Sequence, residues 1–430
     1  MRDLIVTLAI LGAVPFVLVR PHVGVLMWIW VSIMNPHRLT WGFAYDFPFA
    51  QVIAVATLIG LLLRGRGVRI PWSAPTVLLL LFVAWMNVST LYALAPQEAH
   101  AQWLKVMKTM LMTFVMLAAI EEERQIKWLV WVLVLSLGFY GVKGGIFTLL
   151  GGGVHRVFGP PGSDIEDNND LALGLLMTIP LLWYLRRGFT KRWVRLGFVG
   201  AIALCALAAL GTYSRGALIA ATVMIVFALL KSRGRIAFVL PLLALAVLAL
   251  TLMPEHWFER MGTIATYGDD KSSLGRLNAW QMTFNLALDR PFVGGGFQLY
   301  QPHIYELYAP NPTMVLAAHS IYFSALGEHG FIGLALFASF MFASWKTATW
   351  IVRRSAGRAE QRWAGELATA IQASLIGYIV GGAFLSMLYF DVAYYLIAVL
   401  ILVRQHIEKV GSTSQQAQAD AKRAGARLTQ

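Results

Sequence analysis

Ser273-Leu-Gly-Arg276, Arg290-Pro-Phe-Val-Gly-Gly-Gly296 and Ala318-His319-Ser320-Ile-Tyr322, the last running on as Leu326-Gly-Glu328-His-Gly330, punctuate the one long polar interruption in this chain, residues 253–333. Apolar runs flank it on both sides. Hydrocarbon tolerates only saturated backbone, so an interruption of this kind is where reactive side chains can meet a solvated substrate. The remaining sequence reads as its scaffold.

The flanks settle the class. Of 430 residues 58% are hydrophobic and only 13% charged, with a mean hydropathy of +0.64, outside the range of soluble domains. Apolar runs recur from end to end, each near the length that crosses about 30 Å of hydrocarbon. They are continuous rather than alternating, which excludes a transmembrane barrel. The net charge of +13 would suit nucleic acid, but its placement does not. Most Lys and Arg sit in short segments at 64–69, 124–127, 186–195, 231–235 and 346–362, and from 404 onward. Nearly uncharged segments alternate with these, the positive-inside pattern, which makes the basic segments cytoplasmic. The partners expected are membrane lipids and no nucleic acid. The single Cys205 lies in an apolar run, so a disulfide or a thiolate metal site is not expected. Residues 1–19 lack a small-residue cleavage site and read as a retained anchor.

Apolar runs at 47–63, 74–92, 103–120, 128–150, 171–185, 194–210, 216–230, 236–253, 319–345, 364–388 and 392–403 alternate consistently with the basic loops. Residues 1–34 contain Pro15, Arg20 and Pro21 and read as one kinked, tilted crossing or as two short ones. One crossing is favoured, giving about 12 transmembrane helices with both termini inside. The expected fold is thus an all-α polytopic membrane protein with a large periplasmic loop containing short interfacial helices. Its divisions are 1–253, with about nine crossings; the loop 254–318; the C-terminal crossings 319–406; and a polar, low-complexity tail 407–430, expected to be disordered. Within the loop, Leu277, Trp280, Phe284 and Leu288 share one helical stripe while Asn278, Gln281 and Asn285 face elsewhere. Ser272 or Ser273 suits the N-cap, and Pro291 ends the helix. Such a helix lies flat in the membrane interface.

Segments 35–46, 151–170, 212–215 and 254–318 then share the far side, and the candidates for chemistry gather there. His319 stands at the mouth of a crossing, where a neutral imidazole could take a proton from an attacking sugar hydroxyl. Tyr322 is one turn on and shares its face. Glu328 is deeper by roughly 13 Å of helix rise and reads as a structural carboxylate. Arg215, in Thr212-Tyr-Ser214-Arg215-Gly216, occupies a tight outward turn at a helix N-terminus. There a guanidinium and free N–H groups together make an anion site. Arg276 reads the same way. Lys105, Lys108 and Lys143 lie in outward helix halves against the positive-inside trend, and with Arg156, Arg215 and Arg276 could form a basic pocket for a pyrophosphate. Gly151-Gly-Gly153 and Gly294-Gly-Gly296 lack a phosphate-loop context and read as turns. Asp164-Ile-Glu166-Asp167-Asn-Asn-Asp170 lacks EF-hand spacing and reads as a solvated loop and helix cap, so no metal site is assigned.

In that order, Thr-x-Ser-Arg-Gly (212–216), Gly275-Arg276 with Trp280, Pro291-Phe-Val-Gly294-Gly-Gly296, and His319-Ser-x-Tyr322 with Glu328-x-Gly330 and Gly333 resemble the O-antigen ligase family. The superfamily also contains O-antigen polymerases. The resemblance covers about residues 156–336. Asn35-Pro-His-Arg-Leu-Thr-Trp-Gly-Phe-Ala-Tyr-Asp46 looks like the branch of O-glycosylation ligases associated with exosortases. The resemblance implies an enzyme of the bacterial inner membrane that transfers a glycan from undecaprenyl pyrophosphate to a sugar of lipid A–core on the periplasmic face. It implies His319 as the catalytic base and Arg215 and Arg276 as holders of the donor pyrophosphate. Arg156 and Asn169, flanking Phe158-Gly159, fit the family's Arg…Gly…Asn loop, although Pro160-Pro161 and the acidic run intervene. Ser214, Asn169 and Tyr322 would line the site.

Pyrophosphate is already a good leaving group, so charge stabilisation by arginines and one general base suffice. That mechanism inverts the anomeric carbon and needs neither metal nor cofactor. A polymerase or a protein O-glycosylation ligase would use the same donor and differ only in acceptor. A lipid-linked glycan transporter would show repeat symmetry and a charged central path, and neither is visible.

Overall fold

The structure is a computed structural model. It describes the chain except residues 66, 68, 232–246, 248–250, 263–270 and 429–430, and the side chains of 271 and 413–428. The apolar run expected at 236–253 falls, except for its last residues, outside this set.

Every regular element among the described residues is helical. The first group is α1 (Arg2–Val19), α2 (Pro21–Ile29, continued as a π turn Trp30–Met34), α3 (Phe49–Leu63), α4 (Ala74–Leu91) and α5 (Pro96–Ala119). Next come α6 (Glu123–Leu150), α7 (Asn168–Arg186), α8 (Arg192–Gly211) and α9 (Arg215–Lys231). Three short or amphipathic helices follow, α10 (Glu255–Gly262), α11 (Lys271–Asp289) and α12 (Pro302–Tyr308). The chain closes with α13 (Ile321–Ser355), α14 (Arg362–Gly381) and α15 (Asp391–Leu428). Among the described residues six spans are long and apolar enough to cross a membrane, namely α1, α4, α6, α8, α13 and the stretch Ala359–Phe384 containing α14. About 12 were expected. Part of the difference lies in helices that are short, such as the 15-residue α3, or that carry charge, such as α5 with Glu98, Lys105 and Lys108, and the expected crossing at 236–253 falls mostly outside the described residues.

The centre is α15. From Val392 to Val403 every side chain is buried, and a helix apolar on all sides can only sit inside a bundle. The Trp28 indole N–H donates to Tyr395 Oη at 2.9 Å, pinning α2 to it. Around this axis α6 packs on α8, α4 on α13, and α7 and α9 on α14. At the α6–α8 seam a Cβ on Gly141 would meet Cys205 Sγ at 2.2 Å, and one on Gly145 would meet the Leu204 carbonyl oxygen at 2.3 Å. Small residues let these backbones touch, which explains the lone cysteine as a packing residue. By contrast α1 turns Leu8, Phe16 and Val19 outward, as a helix facing lipid does.

Residues 1–34 are two helices meeting at Arg20, not the single crossing favoured above. Asp3 accepts the N–H groups of Gly42 (3.0 Å) and Ala44 (3.1 Å), so the chain begins at the end of the bundle to which residues 35–46 return. Pro21, at the first helical position, starts a new helix instead of kinking the old one. At the other terminus the backbone of α15 stays helical to Leu428, past the point where composition suggests disorder. Ala, Gln, Lys and Arg there are good helix formers, and they extend an existing helix rather than nucleating one. The bundle has two distinct ends. One is tied by Arg64–Glu121 (3.2 Å), Arg187–Glu366 (3.2 Å) and His406–Glu123 (3.5 Å) and carries the basic segments. The loops with the candidate residues gather at the other.

Candidate active site

His319 arrives on a strap. Residues 314–320 have no regular secondary structure, yet the run is fastened along its length. The Asn278 amide of α11 donates to the carbonyls of Asn311 (2.9 Å) and Met314 (3.1 Å), and the Asn311 N–H returns to Asn278 Oδ1. Tyr305 of α12 donates to the Leu316 carbonyl. The Trp280 indole N–H donates to the Ala318 carbonyl at 2.6 Å. A small core of Ala279, Met282, Leu286, Leu299, Ile304, Tyr305 and Ala318 seals the unit. The outward stripe of α11 is as expected at Leu277, Phe284 and Leu288, which are exposed. Trp280, assigned to the same stripe, instead turns inward, and Asn278 is buried against the strap. Ser272 and Ser273 lie within the helix rather than capping it.

The strap ends in strain. His319 has φ +44°, in the left-handed region that non-glycine residues enter at a cost of about 1–3 kcal/mol. Its Nδ1 lies 3.5 Å from Ser386 Oγ, in the segment between α14 and α15. That segment is fixed by Tyr378, which donates to the carbonyls of Met387 and Leu388, and by Tyr394, which also donates to Leu388. Burial holds the His319 imidazole below its ordinary value of 6.5; the Arg276 guanidinium pushes the same way and the Asp167 carboxylate opposes. Arg276 and Asp167 are therefore both close enough to act on the ring.

The Arg215 turn is built the same way. Tyr213 has φ +61°, and its hydroxyl donates to the Gly153 carbonyl at 2.6 Å and meets His256 Nε2 at 2.7 Å. Arg156 stacks over its ring at 5.6 Å. The Asn168 amide donates to the Thr212 carbonyl at 2.6 Å, and the Val157 N–H to the Gly211 carbonyl at 3.0 Å. Ser214 is buried, and its Oγ accepts the Ala217 N–H at 3.2 Å, capping α9 behind Arg215. A Cβ on Gly216 would meet Phe384 at 3.2 Å, two residues before Ser386. The Arg215 turn and His319 thus flank one segment.

The re-entering helix α13 is not continuous. Gly330 has φ +68° and ψ −172°, a break inside its run where one unbroken crossing was expected. The glycine triplet closes the break: Gly295 and Gly296 donate to the carbonyls of Gly327 (2.7 Å) and Glu328 (3.0 Å), and Phe331 N–H turns to Pro291 (2.8 Å). Those carbonyls have lost their helical partners, and the loop restores them. A Cβ on Gly294 would meet the Gly327 oxygen at 2.4 Å, so this turn needs glycine for approach as well as for its positive φ. Beside the break, Tyr389 donates to Glu328 Oε2 (2.5 Å), His329 Nε2 lies 2.5 Å from Tyr389 Oη, and His329 Nδ1 lies 2.6 Å from Ser89 Oγ. This buried set gives Glu328 the structural surroundings expected of it.

The other candidates are more scattered. Lys105 pairs with Asp164 of the 151–170 loop. Lys108 and Lys143 are exposed and have no ion-pair partner among the described residues. Asn169 donates its backbone N–H and its amide to Oδ1 of Asp167, the cap of α7, while its neighbour Asn168 makes the contact to the Arg215 turn. The Tyr322 hydroxyl donates to the Ile379 carbonyl at 2.9 Å, toward α14. In the acidic loop Glu166 accepts the Gly162 N–H at 2.8 Å and Asp167 caps α7. Sequence reasoning missed Asn168, Tyr213 and Ser386. Tyr213 and Asn168 each lay inside a quoted motif, whereas Ser386 carried no local signal.

Fold and site together define a multi-pass helical membrane protein whose polar end assembles a strained histidine with arginines. Comparison with known families places this more closely. Residues 200–338 match the family model described as O-antigen ligase, and residues 1–190 match one described as a family of unknown function (DUF5935). No curated protein matches the chain. The matched domain spans Arg215, Arg276 and His319 and supports ligase- or polymerase-type chemistry in O-antigen processing.

Proposed function

We propose that the chain is an O-antigen ligase, transferring a glycan from undecaprenyl pyrophosphate to a sugar hydroxyl of lipid A–core at the periplasmic face of the bacterial inner membrane. The observation that carries this reading is the placing of His319. It is half-buried and strained, with its proton affinity lowered by burial and by the charge of Arg276, within the residues matching the O-antigen ligase model. In the reaction the acceptor hydroxyl loses its proton to His319 as its oxygen attacks the anomeric carbon. The bond from that carbon to the pyrophosphate oxygen breaks on the opposite face, so the product is inverted. Undecaprenyl pyrophosphate leaves as an anion stabilised by Arg215 and Arg276, with Arg156 and Lys105 at the margin. Donor chemistry supplies the driving force, and charge stabilisation replaces a general acid.

The test is transfer by purified protein supplied with lipid-pyrophosphate-linked glycan and lipid A–core, wild type beside His319→Ala. Glycosylated lipid A–core from wild type, with the variant folded but reduced at least about 10²-fold, is the expected outcome. Lengthening of the donor glycan alone would make the enzyme a polymerase. Near-normal transfer by His319→Ala would remove the base.

A further inference from the structure

Trp280 connects the two halves of the proposed site. Its indole N–H reaches the Ala318 carbonyl at 2.6 Å, one residue before His319. Its ring stacks on Phe323 with centroids 4.9 Å apart and planes within 6°. Phe323 belongs to the first turn of α13, four residues after His319. One side chain therefore grips the chain on both sides of the histidine, and the stack fixes the plane in which the N–H points. The Ala318 N–H faces the Tyr300 hydroxyl, so the N–H and the C=O of Ala318, in the two successive peptide units leading to His319, are each engaged by an aromatic residue from a different element. The backbone immediately beyond is the left-handed His319. A non-glycine residue stays in that region only where its surroundings over-determine it. Arg276 lies one turn before Trp280 on the same face of α11, so a single helical face presents both the backbone grip and the guanidinium that bears on the imidazole.

We propose that Trp280 is a positioning residue: by holding the Ala318 carbonyl it keeps His319 in its left-handed turn and aims the imidazole at the acceptor. This rests on His319 as the general base. Without the indole N–H the turn relaxes toward ordinary negative φ and the ring swings off line, while the anion-binding arginines stay where they are.

The experiment compares wild type, Trp280→Phe, Phe284→Leu and His319→Ala as full-length protein in lipid nanodiscs. Two readouts are taken: kcat and KM for donor and acceptor, and the rate at which diethyl pyrocarbonate modifies the His319 peptide, followed by mass spectrometry. Trp280→Phe keeps the stack and removes only the donor. It should lower kcat by about 10- to 100-fold, the effect of a small misplacement of a reacting group, with donor KM within about 2-fold, and the His319 peptide should be modified several-fold faster. Phe284→Leu, on the outward face of α11, should match wild type in both. If Trp280→Phe does not fold, Tyr300→Phe tests the other main-chain polar group of Ala318 and should shift both readouts in the same direction. Unchanged kcat in a folded Trp280→Phe, whatever the modification rate, overturns the proposal, as does an equal loss in Phe284→Leu. Full activity of His319→Ala is a different failure. It removes the base itself, while the modification rates still report whether Trp280 holds the histidine.

Discussion

At the scale of single residues, the surroundings of His319 fix how the reaction should respond to pH. Burial first, and Arg276 second, lower the proton affinity of the imidazole from its ordinary 6.5. The base form therefore dominates at neutral pH, and the acidic limb of kcat/KM should fall below pH 6.5. Replacing Arg276 by Gln removes a repelling charge, so the limb should move to higher pH. A pH–rate profile of the residual activity checks this, and a limb that moves the other way or not at all would contradict it. Stability follows the same sign. The fold holds the neutral ring, so the contribution is fully present above 6.5 and is lost as pH falls through the lowered value. Arg215 is a separate test. A guanidinium offers a planar fork that an ammonium does not, so Arg215→Lys should cut kcat/KM by about 10²-fold despite the retained charge; transfer kinetics with a pyrophosphate-linked donor measure it. These residues were legible in the sequence because their chemistry is unusual for their position. Ser386 and Asn168 were not, because the contacts that matter join positions 67 and 44 residues apart.

At the scale of elements, the apolar runs located the helices and the glycines decided how they meet. Gly145 of α6 sits against the Leu204 backbone, where an added Cβ would lie 2.3 Å from a carbonyl oxygen. The obstacle is main chain and cannot swing aside. Gly145→Val should therefore force α6 and α8 apart, costing about 1–3 kcal/mol and lowering the thermal unfolding midpoint in detergent. Gly138→Ala, where a Cβ meets nothing within 4 Å, should leave the midpoint within error. The break in α13 was beyond sequence reading for a related reason. Hydrophobic periodicity runs straight through Gly330, and only the approach of a distant segment, with Gly295 and Gly296 as donors and the Pro291 carbonyl as acceptor for Phe331 N–H, makes a broken helix affordable there. The glycine triplet was visible as a turn. Its role as a clasp depends on a partner that local pattern does not reveal.

At the scale of the whole molecule, the two ends of the bundle differ in what holds them, and that difference sets orientation. Basic loops and the ion pairs Arg64–Glu121, Arg187–Glu366 and His406–Glu123 lie at one end; the strap, the Arg215 turn and the 151–170 loop lie at the other. If positive charge marks the cytoplasmic side, residues on the strap face the periplasm. The chain offers a clean test because its one cysteine, Cys205, is buried. Thr313→Cys, exposed in the turn that leads into the strap, and Arg358→Cys, exposed between α13 and α14, each introduce a single accessible thiol. In intact cells whose outer membrane has been made permeable, an impermeant maleimide should label Thr313→Cys and leave both Arg358→Cys and the wild type unlabelled until the inner membrane is opened. The reverse pattern would put the histidine on the side where soluble nucleotide donors are available. It would then remove the reason for a lipid pyrophosphate, because only a compartment without such donors requires the bond energy to cross the membrane with the glycan.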